Sequence, residues 1–153
     1  MRRFVILLGI GLAISVIYGF GQFIWPILQQ ELRSRVLWRQ VDRGPGTVVD
    51  FAQLGLPKWD RVYIFQPYTP RQAIYEALGF QWPDAERTSI EYGHGLNLVV
   101  FVKGMEVVAW FEHPRNRGDL VDLANMAGYS ENQARFVVAL DSERRLVLIA
   151  AKT

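Results

Sequence analysis

From Phe4 to Trp25 the chain carries no charged residue and is mostly apolar, directly after Met1-Arg2-Arg3. As a helix this run would rise roughly 33 Å, against a hydrocarbon core of about 30 Å. The run is long enough to span, so residues 1–26 are read as a transmembrane anchor. A cleaved signal is the competing reading. Arg2 and Arg3 would supply its charged start, and Gly19-Phe20-Gly21 the small residues before a cut at Gln22. The run exceeds the roughly 7 to 15 apolar residues of a signal core, however, and apolar character persists through Phe23, Ile24 and Trp25 to Leu28. The uncleaved anchor is favoured, with Trp25 at the interface. A soluble secreted domain beginning at Gln22 is the alternative.

Two arginines precede the run immediately, and four follow it at a distance, partly balanced by Glu31 and Asp42. The adjacent pair places the N-terminus inside and the domain outside the membrane. Gly11, Ser15 and Gly19 recur every fourth residue, the spacing by which small residues let two membrane helices approach as a homo-oligomer. Incidental small residues explain the same stripe.

Residues 27–43 form a basic juxtamembrane stalk. Pro26 bends the chain or opens a new helix. Beyond it Leu28, Leu32 and Val36 repeat at i+4, while Arg33, Arg35, Arg39 and Arg43 point elsewhere. Two surfaces suit this pattern: anionic lipid headgroups, at about 1 kcal/mol per basic residue, or the domain itself, packed against the apolar side. Gly44-Pro45-Gly46 then marks a boundary.

Charge is divided along the chain. The whole has a net charge of +2, but from Gly44 onward eleven Lys or Arg face thirteen Asp or Glu. The domain over 44–153 is therefore mildly acidic, and nucleic acid is excluded as a partner for want of a basic face. The absence of cysteine removes disulfides, Cys-ligated metals, thiol nucleophiles and lipidation at a lipobox.

Within the domain, Thr47 to Phe51 and Arg61 to Gln66 read as strands, the second with Val62 and Ile64 on one face and Tyr63 and Phe65 on the other. Thr69-Pro70-Arg71-Gln72 reads as a capping box opening a helix to Leu78, stopped by Gly79. Leu96 to Glu112 reads as a hairpin turning at Lys103-Gly104. That register pairs Val102 with Met105, Val100 with Val107, Leu98 with Ala109 and Leu96 with Phe111 as the core side. The opposite side, with Asn97, Val99 and Phe101, is then mixed. Thr88 to Tyr92 reads as a further strand, Asp119 to Ala127 as a second helix, and Ala134 to Leu140 with Arg145 to Ala150 as a closing hairpin. The expected fold is α+β: the transmembrane helix, then a mostly antiparallel sheet of about six or seven strands with two short helices.

The segment Trp59-Asp60-Arg61-Val62-Tyr63-Ile64-Phe65-Gln66-Pro67-Tyr68-Thr69, with its short helix ending in Leu78-Gly79, resembles one in a group of small uncharacterised bacterial proteins. Those proteins are exported, lipid-anchored or membrane-anchored. The resemblance spans about thirty residues. It implies a small α+β domain held outside a bacterial cytoplasmic membrane, and no activity.

Candidate sites are few. Core packing explains Trp59, Tyr68 and Trp82 first; the functional reading makes them a groove taking a peptide, glycan or lipid. His94 and His113 read as turn residues; with two histidines a zinc site would need Glu91 or Glu112, and no ligand spacing is matched. Asp50, Asp60, Glu106 and Glu112 are the carboxylates a tethered hydrolase would use. Arg117-Gly118-Asp119 spells an adhesion tripeptide but suits the entry to a helix. No catalytic motif or cofactor loop is present. The sequence thus points to a single-pass, non-enzymatic envelope module contacting a protein or envelope component, without a cofactor.

Overall fold

A computed structural model of the chain describes residues 30–151. The run Phe4–Trp25 and the stripe Gly11, Ser15, Gly19 lie outside them. Among the described residues no helix is long and apolar enough to cross a membrane.

The described chain is α+β. Helix α1 covers residues 30–41 and α2 is Arg71–Leu78. Seven strands follow the order β1 Val48–Asp50, β2 Arg61–Phe65, β3 Leu96–Lys103, β4 Glu106–Pro114, β5 Tyr129–Ser130, β6 Arg135–Leu140 and β7 Leu146–Ala150. They form two antiparallel sheets, β1-β6-β7 and β4-β3-β2-β5.

The sheets pack face to face. Val49, Phe136, Val138 and Leu148 from one, with Phe51 of the 3-10 turn after β1, meet Val62, Ile64, Val99, Phe101 and Phe111 from the other. A second core lies on the far side of the four-stranded sheet, where Tyr63, Phe65, Leu98, Val100 and Val102 pack under Ile74 and Leu78 of α2, with Trp82 and Ile90. The architecture has three layers, with the four-stranded sheet in the middle. A sheet covered on both faces needs apolar residues on both, which is why Leu98 to Val102 is a continuous apolar run instead of an alternation. The expected division of β2 is observed: Val62 and Ile64 enter one core, Tyr63 and Phe65 the other.

Several expectations are corrected. The hairpin turns at Gly104-Met105, with Lys103 opposite Glu106, one residue later than expected. Gly104 takes the positive φ (60°) that this turn requires. An irregularity follows, since Phe101 pairs with Ala109 while Val102 pairs with Val107, leaving Val108 as the extra residue. The bulge exchanges the faces of β4 beyond it. Ala109 and Phe111 therefore join Phe101 and Val99 between the sheets, and Trp110 joins the α2 side.

Thr88 to Tyr92 forms turns, not a strand, and only Ile90 of the segment is buried. Asp119 to Ala127 is not a helix: it holds one 3-10 turn, Val121–Leu123, ending where Ala124 takes extended angles. The chain ahead of it is drawn into sheet contact, Asp119 bridging β7 in parallel at Val147. The second helix of the described domain is α1. The capping box at Thr69 is also absent. Thr69 Oγ1 donates to the Gln66 carbonyl at 2.7 Å, and α2 begins after Pro70 without a side-chain cap. Gly79 ends α2 as expected, at φ 79°.

Helix α1 covers the edge strand β4. Its buried residues are Ser34, Leu37 and Val41, and the last two enter the core between the sheets. Arg33 Nη1 reaches the Trp110 carbonyl at 3.5 Å, and Arg117 lies over the Trp38 ring at 5.0 Å.

Gly118 makes the close approach possible. It has φ 113°, and a Cβ there would stand 2.7 Å from Val41 Cγ1 and 3.3 Å from Leu148 Cδ1. Gly118→Ala combines backbone strain with overpacking, each costing about 1–3 kcal/mol. We expect it to lower unfolding free energy by about 2–4 kcal/mol and to raise amide hydrogen exchange selectively over residues 34–41. A variant within 0.5 kcal/mol of the parent, roughly the spread of neutral surface changes, would show that the loop moves aside freely.

Candidate functional site

The expected aromatic groove is not assembled. Trp59 is buried between the sheets against Phe101, with ring centroids 5.2 Å apart. Trp82 is buried on the opposite side of the four-stranded sheet, edge-on to Trp110 at 5.4 Å. Tyr68 is exposed in a turn at φ 65°. A sheet separates the two tryptophans.

The carboxylates are similarly dispersed. Asp50 pairs with Arg135 at 3.2 Å and Asp60 accepts from the Gly104 N–H at 2.8 Å. Glu106 is exposed opposite Lys103 at the hairpin end. Glu112 accepts from the Ser89 N–H, and burial raises its pKa against that bond. No group of three or more His, Asp or Glu able to hold a metal occurs among the described residues.

The polar groups that do converge sit where β3 begins and β4 ends. Buried polar residues in the described chain are Ser34, Asn97, His113 and Asp119. Asn97 and His113 are cross-strand partners on the face between the sheets. His113 is a buried strand residue, not a turn residue. Its Nδ1 lies 3.2 Å from Ser34 Oγ of α1 and its Nε2 lies 3.3 Å from the Arg117 carbonyl. A carbonyl only accepts, so Nε2 carries the proton and Nδ1 accepts from the serine hydroxyl. Burial lowers the His113 pKa to about 4, against smaller opposing effects of the Arg117 and Gly118 backbone and of Asp119.

Beside it, Asn97 Nδ2 donates to Asp119 Oδ1 at 3.1 Å, and the Val121 N–H donates to the same oxygen at 3.0 Å. Arg115 Nε and Nη2 lie 2.8 and 2.6 Å from Asp119 Oδ2. Burial pushes the Asp119 carboxyl up, but these donors together outweigh it and its pKa is lowered. Asn97 Oδ1 has no hydrogen-bond partner among the described residues, although it is fully buried. Such an atom costs about 1–3 kcal/mol.

A serine hydroxyl on an imidazole suggests nucleophilic catalysis, but the histidine is fully buried and its second nitrogen is spent on a carbonyl. What this pair performs is attachment of α1 to β4. The Arg117-Gly118-Asp119 tripeptide is similarly consumed: Arg117 on Trp38, Gly118 against Val41, Asp119 in the buried network.

Only one signal in the sequence announces this cluster. Asn97 interrupts the apolar run from Leu96 to Val102 on a strand that is otherwise core. Ser34, His113 and Arg115 become its neighbours only through folding.

Comparison with known proteins returns no match to a family, to a curated protein or to a solved structure.

Proposed function

We propose that this chain is a membrane-tethered, non-enzymatic binding domain, anchored by Phe4–Trp25 in a bacterial cytoplasmic membrane with the domain on the outer side. The observation that supports this reading is the outward face of α1. The stripe containing Leu32 and Val36 is not the side that packs on the domain; Ser34, Leu37 and Val41 are. Leu32 remains 59% exposed and Val36 38% exposed, and Arg35, Arg39 and Arg43 flank them. A helix that faces outward with apolar residues bordered by arginines suits the headgroup boundary, where the stems lie on acyl chains and the guanidinium groups reach phosphate. Two of the four arginines are engaged on the protein itself, Arg33 with the Trp110 carbonyl and Arg35 with Glu31 at 2.5 Å, which leaves Arg39 and Arg43 for the headgroups. The buried Ser34–His113 contact fastens this helix to the sandwich, so the domain is held close to the bilayer.

The full-length chain is expected to stay in the membrane fraction through alkaline carbonate, with an intact N-terminus by mass spectrometry. Release by carbonate, or a mature N-terminus at Gln22, would falsify the tether. A C-terminal reporter active only in the cytoplasm would reverse the orientation.

A further inference from the structure

At the end of the sandwich where β3 begins and β4 stops, a cavity of about 610 Å³ is lined by His94, Pro114, Arg115, Asn116, Asp119 and Arg145 among others. Arg115 is the residue best placed in it to meet a ligand. A guanidinium has five N–H donors. In Arg115, Nε and one Nη2 proton face Asp119 Oδ2, and Nη1 donates to the His94 carbonyl at 3.3 Å. One N–H on each terminal nitrogen is left unspent. Two such donors on one planar group suit two oxygens of an oxyanion.

The group is also prepositioned. Asp119, whose side chain is 12% exposed, is pinned on its other oxygen by Asn97 and by the Val121 N–H. Its backbone is stitched to β7 by bonds of 2.9 Å from its N–H to Leu146 O and 2.8 Å from the Leu148 N–H to its own carbonyl. A donor held by this second layer loses little freedom when a ligand arrives. Arg145 brings a second guanidinium to the lining, paired with Asp141 at 2.7 Å and Glu143 at 3.1 Å, so what the cavity offers a ligand is unspent N–H donors and not an excess of positive charge.

We infer that this cavity is an oxyanion site taking a phosphate group, with Arg115 as the forked contact and Arg145 as a second guanidinium donor. The phosphate has two possible sources. A soluble phosphate-bearing molecule is one. The other is a lipid headgroup, because Pro114 also lines the neighbouring cleft against Gln30 and Glu31, the end of α1 that follows the apolar run. This inference rests on the binding-domain reading and gives that domain a ligand chemistry.

The test uses the full-length chain in dodecyl maltoside micelles, which carry no phosphate, titrated with inorganic phosphate against chloride at constant ionic strength while arginine Nε–Hε resonances are followed by NMR. A saturable shift of the Arg115 resonance is expected. Arg115→Lys keeps the charge but removes the fork, and is expected to weaken binding at least tenfold, followed on backbone amides of residues 94–97 and 115–119. Arg145→Gln, at a side chain 64% exposed, retains the fold and weakens binding about threefold. A second arm replaces inorganic phosphate by nanodiscs containing phosphatidylglycerol. The same shift there assigns the site to lipid, and a shift confined to the first arm assigns it to a soluble ligand. No saturable shift in either arm overturns the site, as does unchanged affinity in both variants. Should Arg115→Lys fail to fold, Arg145→Gln decides alone. A chain that resists carbonate yet shows no shift keeps its tether and loses this site.

Discussion

Phe101→Ala is expected to lower the unfolding free energy by about 3–5 kcal/mol, with the urea midpoint falling and the slope unchanged. Phe101 is fully buried at the centre of the layer between the sheets. Its ring meets Phe51 at 6.1 Å, Trp59 edge-on at 5.2 Å and Phe111 at 6.1 Å, so it joins β3 to the turn that follows β1, to the segment that leads into β2 and to β4. Truncation removes the transfer free energy of a phenyl group and leaves a cavity between two sheets that cannot collapse without shifting their strands. Against a typical total of about 5–15 kcal/mol for a domain, that is a large share. The contrasting variant is Met105→Ala at the exposed hairpin tip, where the residue is 76% exposed and the change should stay within about 0.5 kcal/mol. A loss below about 1 kcal/mol in Phe101→Ala, well under the range for a buried aromatic, would show that the two sheets do not share the core described.

The second large effect is one of pH. His113 is held neutral in the fold, its pKa lowered to about 4 from 6.5 by burial. Between these values the unfolded chain binds a proton that the folded chain does not, so stability rises with pH across the window. Acidification from pH 7 to pH 4 is therefore expected to remove about 3 kcal/mol, and the Ser34 contact that holds α1 should loosen first. Asp119, with its lowered pKa, loses its own contribution only as the pH falls below the ordinary Asp value of 3.8, outside most of the window. Glu112 works in the opposite sense, because burial raises its carboxyl and favours the protonated form. His113→Gln keeps a donor for the Arg117 carbonyl and removes the titration. Its unfolding free energy should be lower at pH 7 but much flatter between pH 6.5 and 4. An identical slope in the two proteins would assign the acid sensitivity elsewhere.

Both results depend on features that local sequence carries unequally. The two faces of β2 were legible because Val62, Tyr63, Ile64 and Phe65 alternate in a strand whose neighbours lie at fixed spacing. Gly79 was legible because the stop of α2 is a property of one backbone angle. The β3–β4 hairpin was legible as a hairpin but not in register. A bulge at Val108 exchanges the faces of β4, and since both sides of the sheet are covered, apolarity did not distinguish them. Asp119 to Ala127 has the capping residue and apolar spacing of a helix. Tertiary bonds compete for its first residue: Arg115, Asn97 and the bridge to Val147 all hold Asp119, and one 3-10 turn is what remains.

The stalk shows the same division. Its helical periodicity and its arginines were visible, yet the buried side proved to be Ser34, Leu37 and Val41, because the edge of β4 offers a histidine nitrogen and a gap beside Gly118. The convergence of Ser34, Asn97, His113, Arg115 and Asp119 had no local signature beyond one asparagine in an apolar strand. The sequence by itself determined the apolar N-terminal run, the split between basic stalk and mildly acidic domain, the strand-rich class and the alternation of β2. These follow from composition and from periodicities of two and of 3.6 residues, which are properties of a single segment. Only the tertiary structure decided the two-sheet sandwich, the side α1 buries and the polar cluster with its cavity, because each depends on surfaces contributed by segments far apart in the chain.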